Sequence, residues 1–186
     1  MGLKISEVSW VYILTIFIVV YATSQLNLPR TLMLNAISVA ALVEVFTIPL
    51  FGWLSDHNGR RIFFFLGTIF TVCFAFPLFW LLSTKDPQIV ILTVVVALSF
   101  GHGAMFALES AYFPELFGAR VRYSGASFGF QLSAALGGGL SPIIATALAG
   151  YLGGTAGMSM MLILFASITF IATLFATETK SESLLD

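Results

Sequence analysis

Three ionisable residues, Glu44, His102 and Glu109, lie inside long apolar stretches of the sequence. An ionised side chain is costly in the interior of a bilayer, so each of them is by default a candidate for function. His102 and Glu109 are seven residues apart, which is two helical turns, and would share one helix face with Met105 between them. A histidine and a carboxylate on one face could pass a proton. The alternative for each residue is a satisfied polar contact inside a helical bundle.

The elements that must position these residues follow from composition. Apolar residues make up 59% of the 186 residues, charged residues only 9%, and the mean hydropathy is +1.00. Soluble domains carry roughly a quarter charged residues, so this chain cannot cover a water-facing surface. Six apolar stretches are separated by polar or turn-rich breaks, at about 5–22, 32–54, 62–82, 89–112, 123–152 and 158–176.

Stretches of this length, without period-2 alternation, predict helices rather than barrel strands. The sequence therefore predicts an all-α membrane protein, a single six-helix transmembrane domain over residues 1–186 with a polar cytoplasmic tail at 177–186. The single cysteine, Cys73, cannot form an internal disulfide and is expected to be a packed small residue.

The basic residues predict the orientation in the membrane. With six helices, both termini and the loops after the second and fourth helices lie on one side. That side would carry Lys4, Arg60, Arg61, Arg120, Arg122 and Lys180, and the other side only Arg30 and Lys85. This bias predicts cytoplasmic termini. Glu7, at the edge of the first stretch, is expected to be interfacial.

The loop between the second and third stretches carries the most specific motif. It has the pattern G-x-L-S-D-x-x-G-R-R over residues 52–61. Glycines permit a tight turn and close approach of helices. Asp56 could accept hydrogen bonds from a helix N-terminus or pair with an arginine, as in a latch that forms in one conformation and breaks in another. The alternative is an ordinary basic loop, which would not need the glycine and aspartate spacing.

This loop resembles the signature loop of the major facilitator superfamily, which recurs between the second and third helices of each six-helix half. The next cytoplasmic loop reads PELF at 114–117 and RVRYSGAS at 120–127, followed by Gln131 and GGGLSP at 137–142. Together these segments resemble the metabolite:proton symporter family, which includes carriers for shikimate, dicarboxylates, citrate, and proline or betaine. The ETK at 178–180 is similar to the ending that often closes a half.

The resemblance implies the C-terminal half, helices 7–12, of a proton-coupled transporter of an organic acid or zwitterion in the cell (inner) membrane. In that family a latch would comprise Gly52, Asp56, Gly59, Arg60 and Arg61, with Arg120 and Arg122 as cytoplasmic anchors. Candidate proton-coupling residues are Glu44, His102 and Glu109, and candidate cavity-lining residues are Tyr12, Tyr21, Asn35 and Gln131.

Other function classes lack their motifs. The sequence contains no H-E-x-x-H, no G-x-S-x-G and only two histidines, in different elements, so neither an enzyme, a metal site nor a cofactor is expected. No basic run suggests nucleic acid. The expected partners are the bilayer, a small-molecule substrate and protons. The alternatives are a truncated or orphan half without activity alone, or a subunit that needs an N-terminal half or a second copy.

Overall fold

The computed structural model describes residues 2–117, 120–152 and 155–178. Within these ranges six helices are long and apolar enough to cross a membrane, and the predicted all-α, six-helix architecture is confirmed. They are α1 Gly2–Ser24, α2 Arg30–Asn58, α3 Arg60–Leu82, α4 Pro87–Glu115, α5 Arg122–Leu148, whose last turn continues to Leu152, and α6 Ala156–Phe175.

The first four helices extend up to about a turn beyond the apolar stretches that predict them. Polar residues such as Arg30 and Asn58 continue the helical hydrogen bonding at the ends, where a bilayer presents headgroups and water rather than hydrocarbon. Of the polar tail predicted at 177–186, only Thr177 and Glu178 belong to the described residues. Thr179 and Lys180 lie outside them.

Three of the helices contain a π-helical segment: Ile13–Phe17 in α1, Ala97–His102 in α4 and Ala134–Gly139 in α5. Such segments shift the hydrogen-bonding register and occur often at functional sites. Side chains of α1 bond to carbonyls in the other two segments. The indole Nε1 of Trp10 donates to the Ala97 carbonyl at 2.8 Å, and the hydroxyl of Ser9 donates to the Gly137 carbonyl at 2.9 Å.

The helices differ in which residues they expose. In α3 the exposed residues are all apolar and recur every three or four positions, from Ile62 to Trp80, and the exposed residues of α6 are also all apolar. This is the pattern of a lipid-facing stripe. Cys73 lies in the α3 stripe and is exposed, so the expectation that it is packed is wrong.

Helices α2 and α5 expose polar as well as apolar residues. In the apolar 18-residue segment of each helix, only 6% of α2 is buried, against 44% of α3 and 28% of α5. Asn35 of α2 and Gln131 of α5 are exposed within helices that are long and apolar enough to cross a membrane. Because hydrocarbon cannot solvate such amides, these two faces require water or protein beside them.

Close contact between α5 and α6 depends on Gly157. A Cβ at this position would lie 2.8 Å from the carbonyl oxygen of Leu148 and 2.9 Å from its Cβ, so any larger residue meets backbone that cannot move aside. Gly150, in the last turn of α5, has no atom within 4 Å of a built Cβ.

Gly157→Ala is therefore expected to destabilise the bundle by about 1–3 kcal/mol, the usual cost of overpacking. Gly150→Ala is the matched control, and we expect it to be neutral or slightly stabilising because alanine favours the helix. Thermal unfolding of the detergent-solubilised protein, followed by circular dichroism, measures both. Equal melting temperatures for the two variants would show that the α5–α6 contact is looser than this packing implies.

Candidate functional site

Five charged or titratable side chains from three helices form one connected cluster inside the bundle. Lys4 and Glu7 come from α1, Glu44 from α2, and His102 and Glu109 from α4. All three predicted proton-coupling residues thus belong to a single group. We call these five residues the charged chain, because they contact one another in a line.

His102 lies between two carboxylates. Its Nδ1 atom is 2.6 Å from Glu44 Oε1, and its Nε2 atom is 3.1 Å from Glu7 Oε1. The ring also stacks on Phe106, with 4.9 Å between the centroids. The imidazole therefore joins α2 to α1 across α4.

Lys4 lies between the other two carboxylates. Its ammonium donates to Glu7 Oε2 at 2.9 Å and to Glu109 Oε2, and it also lies 3.6 Å from the centre of the Phe130 ring of α5. Two carboxyl groups and an aromatic face together compensate a cation that has almost no contact with solvent. Lys4 thus joins α1, α4 and α5.

Lys4 and Glu7 are the residues of this site that the sequence did not single out. The sequence suggested an interfacial Glu7 and counted Lys4 among the basic residues of the cytoplasmic side. The structure corrects the interfacial assignment of Glu7. Lys4 and Glu7 are only 3% and 2% exposed, and both side chains face the inside of the bundle. Their spacing of three residues on one helix face was the available signal for an ion pair.

The sequence places His102 and Glu109 on one face of a helix, where they could pass a proton. The structure brings both into the charged chain, but His102 bonds to Glu44 and Glu7, whereas Glu109 bonds to Lys4. Glu7 and Lys4 therefore connect them. Met105, between them in sequence, is fully buried.

A cavity of about 570 Å³ lies between α4 and α5 and reaches the end of the charged chain. Its lining includes Glu109 and Ser110 from α4, and Arg122, Tyr123 and Gln131 from α5. The volume is within the range of small-molecule sites. Carboxylate, guanidinium, amide and hydroxyl groups around one space can orient a small polar solute.

Of the four predicted cavity-lining residues, only Gln131 borders this cavity. Tyr12 lies beside Gly138 of α5, and Asn35 is exposed on α2. Tyr21 contacts Phe17 and Phe79 and borders a different cavity.

The loop between α2 and α3 turns at Gly59, whose φ of +106° is a conformation that side chains with a Cβ rarely adopt. The carboxylate of Glu178, beyond α6, lies directly against this turn and accepts hydrogen bonds from the backbone N–H groups of Arg60 and Arg61 at 3.0 and 3.1 Å. A built Cβ on Gly59 would lie 2.9 Å from Glu178 Oε2. Glycine is thus required by the turn, and Glu178, which caps the N-terminus of α3, would have to shift to admit a side chain here.

The arginines of this loop contact two other helices. Arg60 pairs with Glu115 at the end of α4 at 2.8 Å and with Asp56 at 3.3 Å. Arg61 donates to the carbonyls of Thr173 and Leu174 at the end of α6. Asp56 itself is 60% exposed, so this pair is open to solvent on one side.

The remaining loop residues of the sequence prediction lie at the start of α5 and at the end of α2. Arg122 donates to the Phe117 carbonyl at 3.3 Å and borders the α4–α5 cavity, and Arg120 is exposed. Gly52 faces the Ala107 carbonyl of α4, 3.9 Å from a built Cβ.

Removal of the cap by Glu178→Ala is expected to speed amide hydrogen exchange at Arg60 and Arg61 by about threefold to thirtyfold, the range for a lost N-cap. Asp86→Ala is the matched control. Its carboxylate caps α4 at the other end of the bundle, through the amides of Gln88 and Ile89. Exchange resolved by mass spectrometry should respond only at the end that carries the change. If exchange at residues 60–61 is unaffected by Glu178→Ala, the cap is not formed.

Comparison with known proteins identifies relatives. The chain is 35% identical to the shikimate transporter of Escherichia coli over 82% of its own length and 35% of the transporter's. It is 33% identical to an inner membrane metabolite transport protein of E. coli over 93% of the chain and 40% of that protein. It is also 28% identical to the citrate-proton symporter of Klebsiella pneumoniae over 88% of the chain and 37% of the symporter.

The chain therefore spans about 35–40% of the length of these relatives. No solved structure matches it significantly. The relatives are transporters rather than enzymes, and the model of the Major Facilitator Superfamily matches residues 11–184. The chain is a multi-pass membrane protein of the major facilitator superfamily, and its six helices form a half bundle of that fold.

Proposed function

We propose that the chain is the C-terminal half of a carrier that moves a small organic acid or zwitterion together with protons by alternating access. The observation that carries this proposal is the charged chain, which runs from the middle of α2 and α4 toward the ends where α1 begins and α4 finishes. Titratable groups that contact one another inside membrane helices are typical of proton pathways. The names of the relatives, which include a citrate-proton symporter, support the same reaction.

The substrate would bind where the α4–α5 cavity meets the charged chain. Glu109 belongs to both, so a solute in the cavity and a proton on the chain would influence each other through one carboxylate. Arg122, Tyr123 and Gln131 offer polar contacts to a carboxylated solute.

The proposed partner is a second six-helix half that covers the exposed faces of α2 and α5. These faces carry Asn35 and Gln131, which lipid cannot solvate, whereas the exposed residues of α3 and α6 are apolar. In carriers built from two halves, the substrate site lies at the junction of the halves. The basic residues favour an inner-membrane orientation with both termini in the cytoplasm.

Under this proposal, Gly52, Asp56, Gly59, Arg60 and Arg61 form the conformational latch. Arg60 holds Glu115, and Arg61 holds the end of α6, so the loop would transmit movement among four helix ends. The exposed Asp56 is the member that remains available to a helix of the partner half.

Co-expression with the first six helices of the E. coli shikimate transporter, supplied as a separate polypeptide, tests this function. We expect the two halves to copurify, and proteoliposomes that contain both to accumulate shikimate, citrate or proline when a pH gradient is imposed. The chain alone is the control for a functional second copy. A copurifying complex that neither binds nor accumulates any of these solutes would contradict the proposal.

In the paired carrier, Glu44→Gln and His102→Asn are expected to abolish accumulation driven by a pH gradient, because each breaks the line of titratable groups. Counterflow exchange of the solute without a gradient should persist. Asp86→Asn is the control, since it alters a carboxylate outside the bundle and keeps a capping side chain. Normal proton-driven accumulation in both cluster variants would rule out their assigned role.

A further inference from the structure

The charged chain alternates in sign along its length. Its order is Glu44, His102, Glu7, Lys4 and Glu109, with an acidic residue at each end. Each inner group serves two neighbours, whereas each terminal carboxylate has one partner within the chain. An alternating row with acidic ends has one negative charge more than it has positive charges.

The protonation of His102 does not remove this excess. Both of its ring nitrogens face carboxylate oxygens, and both can donate only in the imidazolium form. With His102 and Lys4 both cationic, three carboxylates still leave a net charge of −1 among the five groups. An uncompensated charge at a buried site costs free energy, so the charged chain favours the uptake of one further proton.

The two ends of the charged chain, Glu44 and Glu109, differ in their surroundings. The side chain of Glu44 is 13% exposed, whereas that of Glu109 is 2% exposed. Oε2 of Glu109 accepts from Lys4, but its Oε1 atom is buried and has no hydrogen-bond partner among the described residues. A buried carboxylate oxygen without a hydrogen-bond partner is the costliest place for the excess charge, and therefore the most favourable place for a proton.

We propose that Glu109 holds an exchangeable proton on Oε1 and that Lys4 is the counterion that permits its release. When the proton leaves, the O–H bond breaks, the electron pair stays on Oε1, and water in the α4–α5 cavity accepts the proton. Lys4 then compensates two ionised carboxylates, those of Glu7 and Glu109. The use of this proton to drive transport rests on the proposed function, but its presence on Glu109 does not.

Other charged groups lie on the helices that pack around Glu109. Arg122 of α5 borders the same cavity, Glu44 of α2 is engaged by His102, and Arg60 of α3 pairs with Glu115. The Lys4 ammonium contacts the Glu109 carboxylate directly. A change at Lys4 should therefore alter the proton on Glu109 more than a change at any of these groups.

Infrared spectroscopy of the purified chain in lipid tests the proposal without a substrate, a gradient or a partner half. A buried, protonated carboxylic acid gives a carbonyl band separate from that of ionised carboxylates. We expect this band in the wild-type protein, its loss as the pH rises, and its absence from Glu109→Gln. In Lys4→Met the band should persist to a pH about one unit or more higher, because the cation that favours the carboxylate is gone.

Glu115→Gln is the matched control, since it removes another carboxylate from the same helix and should leave the band in place. Loss of the band in Glu44→Gln but not in Glu109→Gln would overturn the assignment, because the proton would then lie at the other end. An unchanged titration in Lys4→Met would overturn the role of Lys4. Absence of the band from the wild-type protein at every pH would overturn the proposal even if a variant fails to fold.

The result is separable from transport. A titrating band on Glu109 in a chain whose paired form shows no uptake would uphold this inference and contradict the proposed function. Proton-driven uptake by the paired form without the band would uphold the proposed function and contradict this inference.

Discussion

The compensation of buried charge is the constraint on which the rest of the bundle depends. Ionised side chains can remain between helices only if each finds a partner of opposite sign, and here Glu7 serves two, Lys4 and His102. Because these partners come from α1 and α4, their pairing fixes how the two helices meet. The neighbouring Ser9 and Trp10 reinforce the arrangement by bonding to carbonyls in the π segments of α5 and α4. Helix α1 thus helps to position α4 and α5.

Much of the fold could be predicted from the sequence, because a bilayer leaves few alternatives to apolar helices of about twenty residues. The rule that ionisable residues inside such helices are functional candidates was enough to find Glu44, His102 and Glu109. It missed Lys4 and Glu7, since charges near the start of a helix normally reach headgroups or water. Only the packing of α1 against α4 and α5 shows that these two side chains face inward.

The loop between α2 and α3 shows a second limit of sequence reasoning. The glycines of this loop predicted a tight turn, and the backbone at Gly59 has the positive φ that only glycine adopts easily. The residue that caps the turn, Glu178, is 118 positions from Arg60, and no local pattern connects them. Contacts of this kind depend on the arrangement of whole helices, so a pattern within one segment could not reveal them.

The apolar stripe of α3 also determines how deep the bundle sits in a bilayer. From Ile62 to Trp80 the stripe rises about 27 Å, close to the thickness of the hydrocarbon layer. Tryptophan favours one boundary of that layer, and Arg61, next to the other end of the stripe, favours the opposite headgroups. The pair of His102 and Glu44, midway along α4 and α2, is thereby held near the midplane, where roughly half of a transmembrane voltage has been crossed. A proton that reaches it from either face would therefore sense the electrical as well as the chemical part of the gradient.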